Sequence, residues 1–273
     1  MSPIDDELPS TPSATSTRHS GWFKRYQHFL FPIAGIAIAL LAIYVLENLL
    51  QHTSRADTLA AFHNISWKTL ALAMLFTALS YAAVALYDVV AVDTIAPNQI
   101  PRRIAAVAGA AGYAISNALG FSLLTGGALR YRIYAAEGVS LADIGKIVGT
   151  SWFAIWFALI IMVATALLID PQDVPWLSAI DSRIDIVAGI AILGGIGWLI
   201  YWLSHAQRSF TMGSFSLRLP NSKGALTQIF AGLVDVGAAA ATLYVLMPAD
   251  AVPSFAVFSL VYVIAIVLGI ASH

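Results

Sequence analysis

Long apolar stretches separated by short polar links dominate the chain. The apolar runs cover about residues 29–46, 68–92, 104–124, 147–169, 184–203, 226–247 and 255–271, each near the ~20 residues an α-helix needs to cross ~30 Å of hydrocarbon. Taken at face value the pattern predicts seven membrane segments. Ahead of them, residues 1–24 begin with MSPIDDELPSTPSATSTRHS, rich in Ser, Thr and Pro and poor in large apolar groups. Such a segment cannot offset its ordering entropy by burial and is predicted to be a disordered cytoplasmic arm, leaving 25–273 as the membrane domain. Lys24 and Arg25 before the first run imitate a secretory signal, but Glu47, Asn48 and Leu49 follow where a small-residue cleavage site belongs. The run therefore reads as an uncleaved first transmembrane helix.

Charge placement changes the count. Lys and Arg favour the cytoplasmic side of short loops. Seven ordinary spans starting inside would put Arg55, Lys68, Arg130, Arg132, Lys146, Arg208, Arg218 and Lys223 outside, against six positives inside. If residues 104–128 instead enter the membrane and return to the same face, only Arg55, Lys68 and Arg183 remain outside. The segment carrying Asp170, Asp173 and Asp181 then becomes external. Local chemistry agrees, because this stretch holds Gly109, Gly112, Gly120, Gly126 and Gly127 with Ser116, Asn117, Ser122 and Thr125. Small and hydroxyl residues permit irregular backbone at membrane depth where protein or a water-filled cavity covers it. They equally suit a span packed closely against a neighbour. The expected fold is an all-α polytopic membrane protein with about six transmembrane helices plus a glycine-rich re-entrant hairpin, or seven spans.

Composition sharpens the class. Apolar residues make up 59% of the 273 residues and charged ones 11%, too few for a water-soluble surface. The net charge of −1 excludes a strongly basic nucleic-acid binder. Cysteine is absent, and the six histidines show no metal-ligand spacing, so no metal or cofactor is expected. No phosphate-binding loop, dinucleotide fingerprint or nucleophile elbow occurs.

Three positions carry candidate chemistry. Asp235 sits near the middle of an apolar run, where an unpaired acid costs about 2.5–3.5 kcal/mol. It either faces a lined cavity and meets a cation, or knits the bundle together. Asp88, beside Tyr81 and Tyr87, is either a second buried acid or the interfacial end of its helix. Arg130 and Arg132 follow Gly126-Gly127 at the exit of the proposed hairpin, where a guanidinium suits a phosphate in bidentate geometry. Arg132 and Lys146 fit better as positive residues that hold a loop in the cytoplasm. The Gly145/Gly149 pair reads as helix packing, and Trp152 and Trp156 as interfacial or packing aromatics. Asn64-Ile65-Ser66 matches a glycosylation acceptor, a pattern short enough to arise by chance.

The stretch GYAISNALGFSLLTGGALRYRIYAAEGVS (112–140), with Tyr87-Asp88, Asp235 followed by Leu243-Tyr244 and Pro248, and a late Val261-Tyr-Val, resembles the membrane region of bacterial phosphatidylglycerol lysyltransferases, the multiple peptide resistance factor family. The likeness covers residues 25–273, and Gly-Gly-x-x-Arg-Tyr-Arg is its most specific part. The resemblance implies a flippase region in the bacterial inner membrane, N-terminus cytoplasmic, that carries aminoacylated phosphatidylglycerol to the outer leaflet. It also implies resistance to cationic antimicrobial peptides, a C-terminal synthase domain that uses aminoacyl-tRNA, and a possible homodimer. Arg130, Asp235, Asp88, Asn117 and Arg132 become headgroup candidates by that likeness. Where family members continue into a Pro-Gly-Gly-Leu-Gly stretch, this sequence ends at Ile270-Ala-Ser-His273. It is expected to be a fragment without catalytic residues, able at most to anchor or scaffold a transferase if it does not itself transport.

Overall fold

A computed structural model describes residues 40, 43–45, 47, 48, 63, 65–119, 122–169, 182–205, 209–212, 215–248 and 253–271. The chain divides into two compact units, Met1–Ser54 with Ala271–His273, and Arg55–Ile270. The first contributes helical residues at 40, 43–45, 47 and 48; the second carries the bundle. The arm predicted at 1–24, most of the first apolar run and the acidic segment near Asp173 lie outside the described residues.

Helices α1 (Trp67–Ile95), α2 (Arg102–Leu119), α3 (Ser122–Ala136), α4 (Leu141–Ile169) and α5 (Ser182–Ser204) come first. A small hairpin of β1 (Ser209–Met212) and β2 (Phe215–Arg218) precedes α6 (Ser222–Leu246) and α7 (Phe255–Ala271). Four of these helices, α1, α4, α5 and α6, are long and apolar enough to cross a membrane, and α7 is a shorter apolar helix. Among the described residues the fold is thus all-α apart from one antiparallel hairpin, in register Ser209↔Arg218 to Met212↔Phe215. That hairpin is an addition to the sequence reading. Its signal was the alternation of Phe210, Met212, Phe215 and Leu217 around Gly213-Ser214.

Local chemistry sets the ends. The Ser66 hydroxyl accepts from Thr69 N at 3.1 Å and caps α1, so the serine of the acceptor motif has a structural use. Asn221 caps α6 by accepting from Gly224 N at 2.8 Å. Ser140 does the same for α4, with Asp143 N at 3.2 Å, and Asp143 in turn accepts from Lys146 at 2.9 Å. Polar residues in that first turn are why α4 starts six residues ahead of its apolar run. The α1–α2 link turns on Pro97-Asn98, Asn98 having φ 64°, as a turn with Pro at its second position and a left-handed third residue requires. Helix α3 ends on Gly138 at φ 81°, with Val139 N bonding Tyr134 O and Gly138 N bonding Ala135 O. This paired arrangement satisfies two terminal carbonyls.

The glycine-rich run divides into α2 and α3 rather than forming one helix. Tyr134 reaches Ala105, Arg130 lies over Gly112, and Thr125 meets Ser116. Contact positions descend along one helix as they rise along the other, so the two run antiparallel and their outer ends lie together. This hairpin packs on α1 and α4 through a core of Ala91, Val92, Ala105, Ala108, Tyr134 and Ile147. A second core of Ala83, Val84, Tyr87, Ala154 and Ala231 joins α1, α4 and α6. Outward faces stay apolar: Met74, Leu75, Trp198 and Phe230 are each more than 60% exposed, a surface that suits lipid and not water.

Gly145 and Gly149 meet nothing within 4 Å of where a Cβ would be. The close approaches fall elsewhere, at Gly109 against Asp88, at Gly112 and Gly126 around Arg130, at Gly189 against the Ala164 carbonyl and Leu168, and at Gly232 against the Ala154 backbone.

Candidate functional site

One face of α1 presents Ser80, Val84, Tyr87, Asp88, Ala91 and Val92 to the interior, the i, i+3, i+4 stripe of a half-buried helix. Two acidic centres depend on that stripe. Asp88 is completely buried. Its Oδ2 accepts from Arg130 Nε at 2.6 Å and from the Tyr134 hydroxyl at 2.7 Å. Its Oδ1 accepts from Arg130 Nη2 at 3.0 Å. Ser151 shares one proton between that oxygen, at 3.1 Å, and the Ile147 carbonyl, at 3.2 Å. The guanidinium and carboxylate therefore meet fork to fork, the geometry that best repays desolvation of both.

The hairpin is shaped for this pair. A Cβ at Gly109 would lie 3.0 Å from Asp88 Cβ, and one at Gly112 would lie 3.0 Å from Arg130 Nη1. Glycine at these positions lets the α2 backbone close over both charged groups. Ser116 anchors the same turn by donating to the Gly112 carbonyl at 2.7 Å.

Asp235 is the second centre, projecting from the middle of α6 and 3% exposed. Ser80 donates to its Oδ1 at 2.6 Å and Tyr87 to its Oδ2 at 2.8 Å. Both donors are neutral, and no cation lies within ion-pair distance of Asp235 among the described residues. Close packing of α6 on α4 at Gly232 fixes the depth at which this carboxylate stands.

Both centres border one cavity of about 310 Å³, lined among others by Tyr113, Asn117, Arg130, Trp152, Asp235 and Tyr262. Tyr113 and Tyr81 stack edge to face with centroids 5.4 Å apart, which holds the Tyr113 ring at the cavity wall. Arg130 uses Nε and a proton of Nη2 on Asp88, and directs Nη1 at the Gly126 carbonyl at 3.5 Å. A second proton on each terminal nitrogen has no partner among those bonds. The arrangement can take a ligand with a cationic group toward Asp235, an anionic oxygen toward Arg130, and aromatic or aliphatic bulk between them.

Of the residues singled out from sequence, Arg130, Asp235 and Asn117 share this cavity, and Asp88 stands behind Arg130. Arg132 is exposed, and the described cavities do not include it. The sequence pairs a phosphate with Arg130; here the guanidinium's fork faces Asp88. Tyr134, Ser151 and Ser80, which complete the two acid sites, and Tyr113 at the cavity wall are not singled out by the sequence; Tyr262, named there only within Val261-Tyr-Val, also lines the cavity. Sequence reasoning assigned Trp152 and Trp156 to packing or an interface, whereas both line the cavity.

No protein-family model matches the chain. It is similar to an uncharacterized protein of Synechocystis sp., with 28% identity over 239 residues, covering 88% of this chain and 74% of that protein. That relative brings no activity with it.

Proposed function

We propose that the chain is the membrane part of a lipid translocator in the bacterial cytoplasmic membrane, with its N-terminus on the cytoplasmic side, and that its cargo is an aminoacylated phosphatidylglycerol. The observation that carries this reading is Asp235: a buried carboxylate with only neutral donors, facing a cavity that also holds an arginine with protons to spare. Intramembrane acids of this kind face pathways more often than lipid. In this reading Asp235 attracts the ammonium of the aminoacyl group, Tyr113 and Tyr262 flank it, and Arg130 and Asn117 donate to phosphate and ester oxygens. The α2–α3 hairpin is re-entrant and joins the cytoplasmic side, so its motion relative to α1 and α6 opens the cavity to one leaflet at a time. No covalent step belongs to these residues. Cargo delivered to the outer leaflet adds positive charge there and weakens adsorption of cationic peptides.

The fully matched Asp88 cluster favours a second reading, a scaffold that anchors a lipid aminoacyltransferase domain, or pairs with a second copy, without transport. Leaflet-resolved labelling separates the two. In cells carrying the full-length protein, an impermeant amine reagent reports outer-leaflet aminoacyl-phosphatidylglycerol, with Asp235→Asn compared to wild type at equal membrane abundance. A translocator loses about tenfold or more of the labelled fraction while total lipid holds steady, as expected for loss of a charged hydrogen bond. Unchanged labelling sinks transport and leaves the scaffold.

A further inference from the structure

A second cavity, of about 210 Å³, opens on another side of the bundle between α4, α5, β2 and the start of α6. Its walls are aliphatic and aromatic, with Phe153 and Phe157 from α4 and Leu199 and Leu203 from α5. Three polar side chains interrupt them: the Thr150 hydroxyl is satisfied by the Lys146 carbonyl at 2.8 Å, whereas Gln228 and Arg218 are not matched. Gln228 is 4% exposed, and its Nε2 has no hydrogen-bond partner. Arg218, at the end of β2, forms no ion pair among the described residues, although the same residue borders a small polar cleft with Asp93. Asp93 itself is taken by Arg102 at 2.9 Å.

A buried amide donor without a partner is costly and calls for an acceptor. The placement of the two groups says which. Arg218 stands four residues before α6 begins, at a helix end. Gln228 lies six residues into α6, about 9 Å deeper along its axis. The headgroup layer on each side of a bilayer is roughly 5–7 Å thick, so the two residues bracket the step from phosphate to hydrocarbon. We infer that this cavity binds an anionic phospholipid, with one acyl chain among Phe153, Phe157, Leu199 and Leu203, an ester carbonyl accepting from Gln228 Nε2, and the phosphate held by Arg218. The site is separate from the Asp235 cavity and does not rest on the transport reading. It ties the β-hairpin to α4, α5 and α6 through the lipid.

Photo-crosslinking tests this in the full-length protein, reconstituted into vesicles of equal phosphatidylglycerol and phosphatidylcholine. Either lipid carries a photoactivatable acyl chain, and adducts are mapped by peptide mass spectrometry. The expected result is phosphatidylglycerol adducts on the peptides holding Phe153, Phe157, Leu199 and Leu203, about fivefold over phosphatidylcholine. Arg218→Ala abolishes that preference, and Arg218→Lys keeps part of it. Because Arg218 is exposed, its loss leaves the fold intact, which gel filtration checks. Gln228→Leu lowers adducts of both lipids about fivefold and raises the melting temperature of the lipid-depleted protein, since it removes an unpartnered donor. Equal labelling by the two lipids in wild type, or a preference that survives Arg218→Ala, overturns the assignment. Adducts on Tyr113 and Asn117 report the central cavity instead, so failure here leaves the transport reading standing.

Discussion

Asp88 and Asp235 are both buried carboxylates in the same bundle, and α1 supplies groups to both, yet they are solved in opposite ways. Asp88 is met by a guanidinium, a phenol and a serine hydroxyl drawn from α3 and α4. Asp235 receives two neutral hydroxyls from α1 and, among the described residues, nothing positive. The first arrangement closes on itself and fixes where the hairpin sits. The second leaves an acidic side chain at the wall of the cavity. A charge that the fold has already matched serves architecture; one supported only by dipoles retains attraction for a mobile partner.

The widest separation between the two centres is expected from Arg130→Ala. Removing one partner of a buried pair leaves the other charge uncompensated, which costs about 3–5 kcal/mol. Thermal unfolding in detergent should show a large drop in melting temperature. Combining Asp88→Leu with Arg130→Met removes both charges and restores most of that loss, because well-packed apolar groups replace a buried pair at little cost. A double variant no more stable than Arg130→Ala would mean that the charge pair is not the cause.

A smaller effect separates adjacent glycines of α3. A Cβ at Gly126 would collide with Ser116 Oγ and lie 3.1 Å from the Gly112 carbonyl, whereas one at Gly127 meets nothing within 4 Å. Gly126→Ala is expected to cost about 1–3 kcal/mol by pushing α2 and α3 apart at the seat of Arg130. Gly127→Ala should instead gain about 0.5–1 kcal/mol from helix propensity. Equal melting temperatures for the two variants would remove the claim that the hairpin closes tightly over the Asp88 pair.

The long helices were legible because hydropathy alone marks them: α1 at Trp67–Ile95 and α5 at Ser182–Ser204 fall within a few residues of their apolar runs. Charge distribution, not hydropathy, pointed to a hairpin in the glycine-rich stretch, since a period-blind apolar run cannot show a break between Leu119 and Ser122. Asp235 stood out as an acid in an apolar helix. The Asp88–Arg130 pair did not, because its members are 42 residues apart and only packing of α3 on α1 brings them together. For the same reason the sequence offered each of them separately to a ligand. Tyr134 and Ser151 carry no mark of their own, being ordinary residues made important by where α3 and α4 put them. Gln228 escaped notice because an amide in the first turns of a helix is unremarkable until its burial is seen.

The finest test of the comparison is the stability of Asp235→Asn. An amide keeps the shape of the carboxylate, its oxygen still accepts from Ser80, and its nitrogen can donate to the Tyr87 oxygen, since a phenol both gives and accepts. No buried cation is stranded, in contrast to any change at Asp88. Hydrogen bonds between transmembrane helices are worth on average about 0.6 kcal/mol, so the melting temperature should shift by no more than the equivalent of about 1 kcal/mol. Such near-silence in stability, set beside a large fall in outer-leaflet lipid, would place the acid's value in what enters the cavity. A loss comparable to that of Arg130→Ala would instead make Asp235 a second structural hub, and the contrast between the two centres would disappear.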